Sequence, residues 1–390
     1  MTEIVKQDNN TGKVPNYKEN IPNLRFPEFT DYWKVKNIKN LGGFIGGGTP
    51  DTAIEKFWEG KIPWISSSDI AINDIHNIQK TRFITENAIK SSATKLIPKG
   101  GILMVSRVGI GKFAVADEEL CTSQDFTNLI TTENEYFLCY YFSARSNSFV
   151  RLSQGTSIKG FTIQDVKAAK FFIPSVKEQD KISSFLSLID SRIETQNKII
   201  EELKLLKNTI RYQLYTHILN EENELVQIKE LLNYEQPTKY LVTNTDYSSD
   251  LSLTPVLTAN KAFILGYTNE VFGVYNKNEC IIFDDFTMGM KFVNFPFKVK
   301  SSAIKILTAK PTVNLKFIFE YLSFLNLSSN EHKRHYISEI ESMEIILPDC
   351  YNQNQIANIL SSIEKKIEIE SKIEILLVNQ KKYFLTNLFI

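Results

Sequence analysis

The sequence predicts an α+β protein arranged as two α/β globules separated by two long helices that pack as a coiled coil. Three observations predict it. Residues 21–174 alternate short β-type runs with helical stretches. After Pro174, Ile182, Phe185, Ile189, Ile199, Leu203 and Leu206 recur at three- and four-residue spacing, and no Gly or Pro interrupts residues 178–219. That is one amphipathic helix, ~60 Å long at the usual rise, whose seam asks for a partner helix. The partner lies in the same chain, because the segment returns 174 positions later. Pro174 matches Pro348, Gln179 matches Gln353, Ile182 matches Ile356, Ile189 matches Ile363, Ile199 matches Ile373, Leu203 matches Leu377 and Lys207 matches Lys381. The shared Pro, Gln, Glu and Lys positions are read as lying off the apolar seam, so seam composition alone does not explain the match.

In chain order, residues 1–20 are polar and aperiodic and read as a loose leader. Residues 21–174 form the first globule, with a strand at Ile102-Leu103-Met104-Val105, a helix at Glu135-Tyr136-Phe137-Leu138 and a strand ending at Phe172-Ile173. Residues 175–222 are the first long helix, 223–347 the second globule and 348–390 the second long helix. The globules match only faintly. Lys112-Phe113 follows Ile102-Leu103 as Lys291-Phe292 follows Ile281-Ile282, and Thr162-Ile163 stands where Tyr336-Ile337 stands. The scaffold is held alike while two copies of a reader vary.

Composition removes several classes. Lys and Arg number 45 against 45 Asp and Glu, so net charge gives no argument for a polyanion partner. Residues 1–174 nevertheless carry about three positive charges in excess. No apolar run reaches the ~18 residues of a membrane span, and the first residues lack the pattern of a signal peptide. The four cysteines are scattered, with no metal-ligand spacing, which points to a reducing cytoplasm and away from disulfides and zinc.

Catalytic motifs fail on inspection. Gly42-Gly43-Phe44-Ile45-Gly46-Gly47-Gly48-Thr49-Pro50 ends like a phosphate loop but has no lysine and no following helix, so a tight glycine turn near a strand end is expected. Gly109-Ile110-Gly111-Lys112 is read as a turn before a strand. Asp284-Asp285 could hold a metal, but neighbours on a strand face opposite ways. His332 and His335 read as part of a polar surface turn rather than as ligands. No nucleophile elbow, paired-histidine zinc motif or Asn/Asp-Pro-Pro-Tyr tetrapeptide occurs.

Polar loops carry the binding reading. Ser66, Ser67 and Ser68 follow an apolar run and suit phosphates or base edges, or equally a helix cap. Arg107 at a strand tip suits a guanine edge or a phosphate, or is an ordinary surface arginine. Thr49, Lys112, Lys159, Lys291, Lys333 and Arg334 complete the candidate DNA contacts. Lys159 and the Lys333-Arg334 pair lie in loops at corresponding places in the two globules.

Together these segments resemble the specificity subunit of type I restriction–modification systems. The resemblance is carried by Gly46-Gly47-Gly48-Thr49-Pro50, Pro63-Trp64-Ile65-Ser66-Ser67-Ser68-Asp69, Ser106-Arg107-Val108-Gly109 and Phe172-Ile173-Pro174, with Leu347-Pro348 and Gln353 repeating the last part. In the second globule Leu253-Thr254-Pro255-Val256-Leu257 replaces the Gly-Gly-Thr-Pro and Pro-Trp-Ile segments. The resemblance implies a cytoplasmic, non-catalytic DNA reader with two target-recognition domains, each binding half of a split sequence in double-stranded DNA. It implies helices packed antiparallel, relating the halves by a pseudo-twofold. It implies two methyltransferase (M) subunits as partners, with or without two restriction (R) subunits. S-adenosylmethionine, ATP and Mg would then belong to those partners, and no cofactor to this chain. The rival from another class is a coiled-coil adaptor with two protein-binding globules and no DNA contact.

Overall fold

The structure is a computed structural model and describes residues 20–152, 160–220, 224–259, 262–327 and 334–390. The leader up to residue 19, Lys159, His332 and Lys333 lie outside the described residues. Contacts group the chain into two units, one running to Thr195 and resuming at Glu374–Ile390, the other spanning Gln196–Ile373. The long helices are thus divided between the units rather than standing apart.

Each unit contains the same frame, built from short strands whose side chains alternate between two layers. At its root a two-stranded antiparallel ladder joins the globule's two chain ends: Lys34–Asn37 with Lys170–Ile173, and Glu224–Gln227 with Glu344–Leu347. Next comes a four-stranded sheet, ordered Gly42–Gly46, Thr127–Thr131, Ile102–Met104, Phe113–Val115 in the first unit. Its counterpart is Leu232–Glu235, Ile304–Ala309, Cys280–Asp284, Met290–Val293. A smaller sheet contains one parallel pair in each unit, Ile62–Ile65 beside Leu120–Thr122 and Thr254–Leu257 beside Lys298–Val299. A ten-residue helix packs on each frame, Glu135–Ala144 capped by Asn134 and Leu315–Phe324 capped by Asn314. Resemblance that was faint in sequence is therefore extensive in topology.

Two expectations change here. The glycine segment is half strand rather than all turn: Gly42–Gly46 pairs along its length with Thr127–Thr131, and residues 47–50 lie beyond the strand end. The expected equivalence of Lys112 and Lys291 is also off by two residues. The Val105 amide donates to the Lys112 carbonyl, whereas the Asp284 amide donates to the Gly289 carbonyl, so Gly289 occupies the place of Lys112.

The long helices span Val176–Leu219 and Cys350–Asn387. In the first unit Phe185 meets Phe384 edge-on at 4.8 Å and Asp190 pairs with Lys381 at 2.5 Å. In the second, Gln196 meets Glu370 at 2.6 Å and Lys207 reaches Glu364 at 3.4 Å. Rising numbers on one helix face falling numbers on the other in both units, which makes the pair antiparallel. Gln196 and Glu370 are separated by 174 residues, the repeat offset, so a repeat position meets its own equivalent there.

The seam itself corrects the sequence reading. Covered positions run Ile182, Leu186, Ile189, Ile193, Gln196, Ile200, Leu203, Lys207, Ile210, Leu214, an unbroken four-and-three alternation. Ile199 and Leu206 stand outside it, 36% and 46% exposed, while Gln196 and Lys207 sit within it at 8% each. The second helix repeats the pattern through Ile356, Leu360, Ile363, Ile367, Glu370, Glu374, Leu377 and Lys381, with Ile373 half-buried beside it. A ranking by hydropathy chooses isoleucine and leucine, but the heptad phase chooses position, and at five of these positions (Gln196, Lys207, Glu370, Glu374 and Lys381) the residue is polar.

The lysines among them fasten the helices to the globules. Lys207 pairs with Glu320 at 2.9 Å on the helix Leu315–Phe324, and Arg211 binds the same carboxylate at 2.8 Å. Lys381, the repeat equivalent of Lys207, pairs with Asp190, which also accepts a hydrogen bond from the Tyr140 hydroxyl at 2.6 Å. The shared glutamines are buried too. Gln179 accepts from the Asn134 amide at 3.1 Å and Gln353 from the Asn314 amide at 2.9 Å, each tying a long helix to the cap of its globule's helix.

Burial works to raise the Glu320 and Asp190 carboxyls. Lys207, Arg211 and Lys316 around Glu320, and His76, Lys381 and Tyr140 around Asp190, more than offset it and hold both below their ordinary values. A depressed carboxylate stabilises the fold above its unfolded pKa of about 4.3 for Glu and 3.9 for Asp, and loses that contribution as pH falls through the folded value. Stability should therefore be level from neutral pH to about pH 5 and decline below, with Glu320→Gln showing a shallower acid decline by circular dichroism. In denaturant titrations Glu320→Ala, which leaves Lys207 and Arg211 without their shared carboxylate, should cost roughly 3–5 kcal/mol. Leu206→Ala, on the exposed side, should cost under about 0.5 kcal/mol.

Candidate functional site

The first globule's parallel strands and its four-stranded sheet end at the same place, and the polar candidates gather there. The strand Ile62–Ile65 stops at Ser66, which enters the short turn Ser67–Asp69 through a capping box. Asp69 Oδ2 accepts from the Ser66 amide at 2.7 Å and from its hydroxyl at 2.9 Å. Arg82 closes the motif, donating to Asp69 and to the Ser66 hydroxyl at 2.5 Å each, with its guanidinium 4.6 Å above the Trp64 ring. Ser66 and Ser68 share a hydrogen bond at 2.8 Å, and Ser68 is exposed. Ser66 serves as a cap and Ser68 faces solvent, so the two readings of the serine run divide by residue.

Beside this turn lies the second one. The strand Ile102–Met104 continues to Ser106 and Arg107, whose amides donate to the Asp125 carbonyl at 2.8 and 3.2 Å. Arg107 also forms a bridge with Gly160. The chain then reverses through Val108 and Gly109, both at positive φ (41° and 101°), a conformation that favours glycine. Lys112 returns from the turn and donates to the Ser67 carbonyl at 2.8 Å, joining the two turns. Thr49 hydrogen-bonds Gln124, the neighbour of Asp125. A Cβ on Gly47 would lie 1.9 Å from the Ser123 carbonyl oxygen and one on Gly48 2.4 Å from the Thr94 amide nitrogen, so close packing, not a phosphate, explains these two glycines.

The structure thus brings Thr49, Ser66, Ser67, Ser68, Arg107 and Lys112 to one end of the first globule. Arg107 is exposed and makes no side-chain hydrogen bond or ion pair with a described residue; a guanidinium carries five donors. Gln124 and Arg82 belong to the same cluster and were not foreseen; each stands one strand away in space from residues far off in sequence.

In the second globule Arg334 is exposed near the equivalent end, and Lys291 lies within the strand Met290–Val293. His335 is buried, with Nδ1 3.1 Å from Glu339, and is no surface residue. Asp284 turns inward to accept from the Phe286 and Thr287 amides, and Asp285 pairs with Lys305 at 3.4 Å. No group of three or more His, Cys, Asp or Glu among the described residues could hold a metal ion. No helix of the described residues is long and apolar enough to cross a membrane.

Comparison with known proteins agrees with this duplicated frame. The family described as "Type I restriction modification DNA specificity domain" matches residues 30–205 and again 220–378. The specificity subunit of type I restriction enzyme MjaIX from Methanocaldococcus jannaschii is 39% identical over 45% of this chain and 43% of its own length. The EcoR124I/EcoR124II specificity subunit of Escherichia coli is 42% identical over 38% of each chain. The chain thus spans about two fifths of the length of these curated relatives. A crystal structure of the S subunit of a type I restriction-modification system from M. genitalium shares the fold with TM-score 0.64 at 16% identity, covering 95% of this chain and 99% of that one.

The Lys112 bond has its own consequence. Lys112→Met removes the donor to Ser67 while keeping the bulk of the stem, and should cost about 1–2 kcal/mol. Amide hydrogen exchange should accelerate at Ser67–Asp69 and remain unchanged in the ladder Lys34–Asn37.

Proposed function

We propose, for a chain that belongs to the type I restriction modification DNA specificity family, that it is the non-catalytic, cytoplasmic subunit that reads DNA for a type I restriction–modification enzyme. Each globule takes one half of a bipartite sequence in double-stranded DNA. The observation that carries the reading is the family domain occurring twice on one frame, with an exposed arginine and an exposed hydroxyl at the strand ends of the first copy. Arginine offers paired donors to a guanine edge, and hydroxyls and lysines address phosphates. The neutral chain gives little long-range attraction to DNA. Methyltransferase (M) subunits therefore contribute much of the grip, and S-adenosylmethionine chemistry is theirs; ATP and Mg belong to restriction (R) subunits where these join.

The long helices also suit protein partners. Leu205 and Tyr212 in one unit, and Leu188, Leu376 and Tyr383 in the other, are well exposed while the seam behind them is closed. The same residues would suit an adaptor that never touches DNA. Filter binding of the methylating complex with and without this chain separates the two: sequence-dependent retention of duplex should require the chain, and equal retention without it would leave the adaptor.

Two variants sharpen the test. Arg107→Ala should relax one base position and cost roughly 1–3 kcal/mol if it reads a guanine, or weaken all sequences alike if it holds a phosphate. Wild-type affinity with an unchanged salt slope would remove it from the interface. Exchanging residues 21–174 for those of a relative should change one half-site in methylome sequencing and leave the other intact.

A further inference from the structure

The two globules can be superposed residue by residue at the strand tip through their backbone hydrogen bonds. In the first, the Ser106 amide donates to the Asp125 carbonyl and the Ser106 carbonyl accepts from Phe161. In the second, the Asp285 amide donates to the Ala303 carbonyl and the Asp285 carbonyl accepts from His335. The next residue in the first globule is Arg107; in the second it is Phe286. Each is followed shortly by a non-glycine residue at positive φ, Val108 at 41° and Met288 at 55°. The entry to the turn is alike in the two copies, and the residue there is an arginine in one and a phenylalanine in the other.

Phe286 is 38% exposed and belongs to none of the hydrophobic clusters that form the cores. Its backbone is held on both sides. Asp284 accepts from the amides of Phe286 at 3.0 Å and Thr287 at 2.9 Å, and Met288 is buried beyond them. Asp285 accepts from the Tyr336 amide at 2.9 Å and faces the buried Lys305. A buried ion pair of this kind adds little net stability but is demanding about position. It holds the backbone immediately before Phe286, whose side chain is left partly exposed.

We propose that Phe286 is the second globule's counterpart of Arg107, reading its half-site through apolar contact with the C5-methyl group of a thymine. A phenyl ring has no hydrogen bond to give, and the thymine methyl is the apolar group on the major-groove edges of the bases. The inference rests on the DNA-reading function above and adds its chemistry: a hydrogen-bonding tip in one half, an apolar tip in the other.

Methylome sequencing first supplies the half-sites. Binding of the methylating complex is then measured on duplexes in which each thymine in turn is replaced by uracil, which deletes one methyl group. Wild type should lose about fourfold at one thymine of the second half-site, the worth of one buried methyl. Phe286→Ala should bind thymine and uracil equally there and keep its other preferences; Phe286→Leu should retain part of the difference. A thymine–uracil difference that survives in Phe286→Ala, a uniform loss on all sequences, or no responsive thymine would each overturn the assignment. Wild-type complex without sequence-dependent binding would remove the DNA-reading premise and this inference with it.

Discussion

The contact on which the molecule depends is a lysine in the helix seam meeting a carboxylate: Lys207 with Glu320 and Glu364 in one unit, Lys381 with Asp190 in the other. Such pairs add little net stability, since desolvating both charges costs about what their attraction returns. They are demanding about position. A shift of one helix along the other would carry the lysine away from its carboxylate and leave both buried and unpaired. Apolar seam residues tolerate such a shift far better, because leucine against isoleucine differs little from leucine against leucine. The seam's isoleucines supply cohesion, and its few polar members choose the register. Gln196 against Glu370, where equivalent positions of the repeat meet, serves the same end.

This explains which parts of the fold could be read in the sequence. The helices were legible because forty residues of periodicity outweigh any single misassigned position. Ile199 and Leu206 were assigned to the seam on hydropathy, and the structure puts Gln196 and Lys207 there instead. The information was present in the repeat, since Lys207 and Lys381 are identical at the 174 offset, but a charged residue on a helix seam argues against itself until its carboxylate is seen. That carboxylate, Glu320, is 109 residues from Arg211, which shares it, and no local pattern connects them.

The candidate site was legible to a different degree. Arg107 and Ser68 are exposed as expected, because Gly109 marks the reversal and the serines follow a strand. Gln124 and Arg82 join the same cluster through sheet pairing, and pairing between distant strands leaves no mark in a single sequence. His335 failed for a related reason. A histidine amid Lys333 and Arg334 looks solvated, yet its amide is claimed by the Asp285 carbonyl and its ring is buried.

Divergence between the globules follows from where the constraints lie. The frame's hydrogen bonds run through backbone atoms, so Ser106 and Asp285 can make the same two bonds with unlike side chains. The side chain of the residue that follows lies outside the cores, and Arg107 in one copy stands where Phe286 stands in the other. Nothing in the strand ladder notices the exchange, since neither side chain enters a core. The helices have less freedom, because their seam residues are covered along the length of the pair and those nearest the globules, such as Leu186 and Leu360, also join the globule cores. A duplicated chain of this kind can change what each copy touches without disturbing how it folds, and the two kinds of position, fixed and variable, are separated by a single peptide bond.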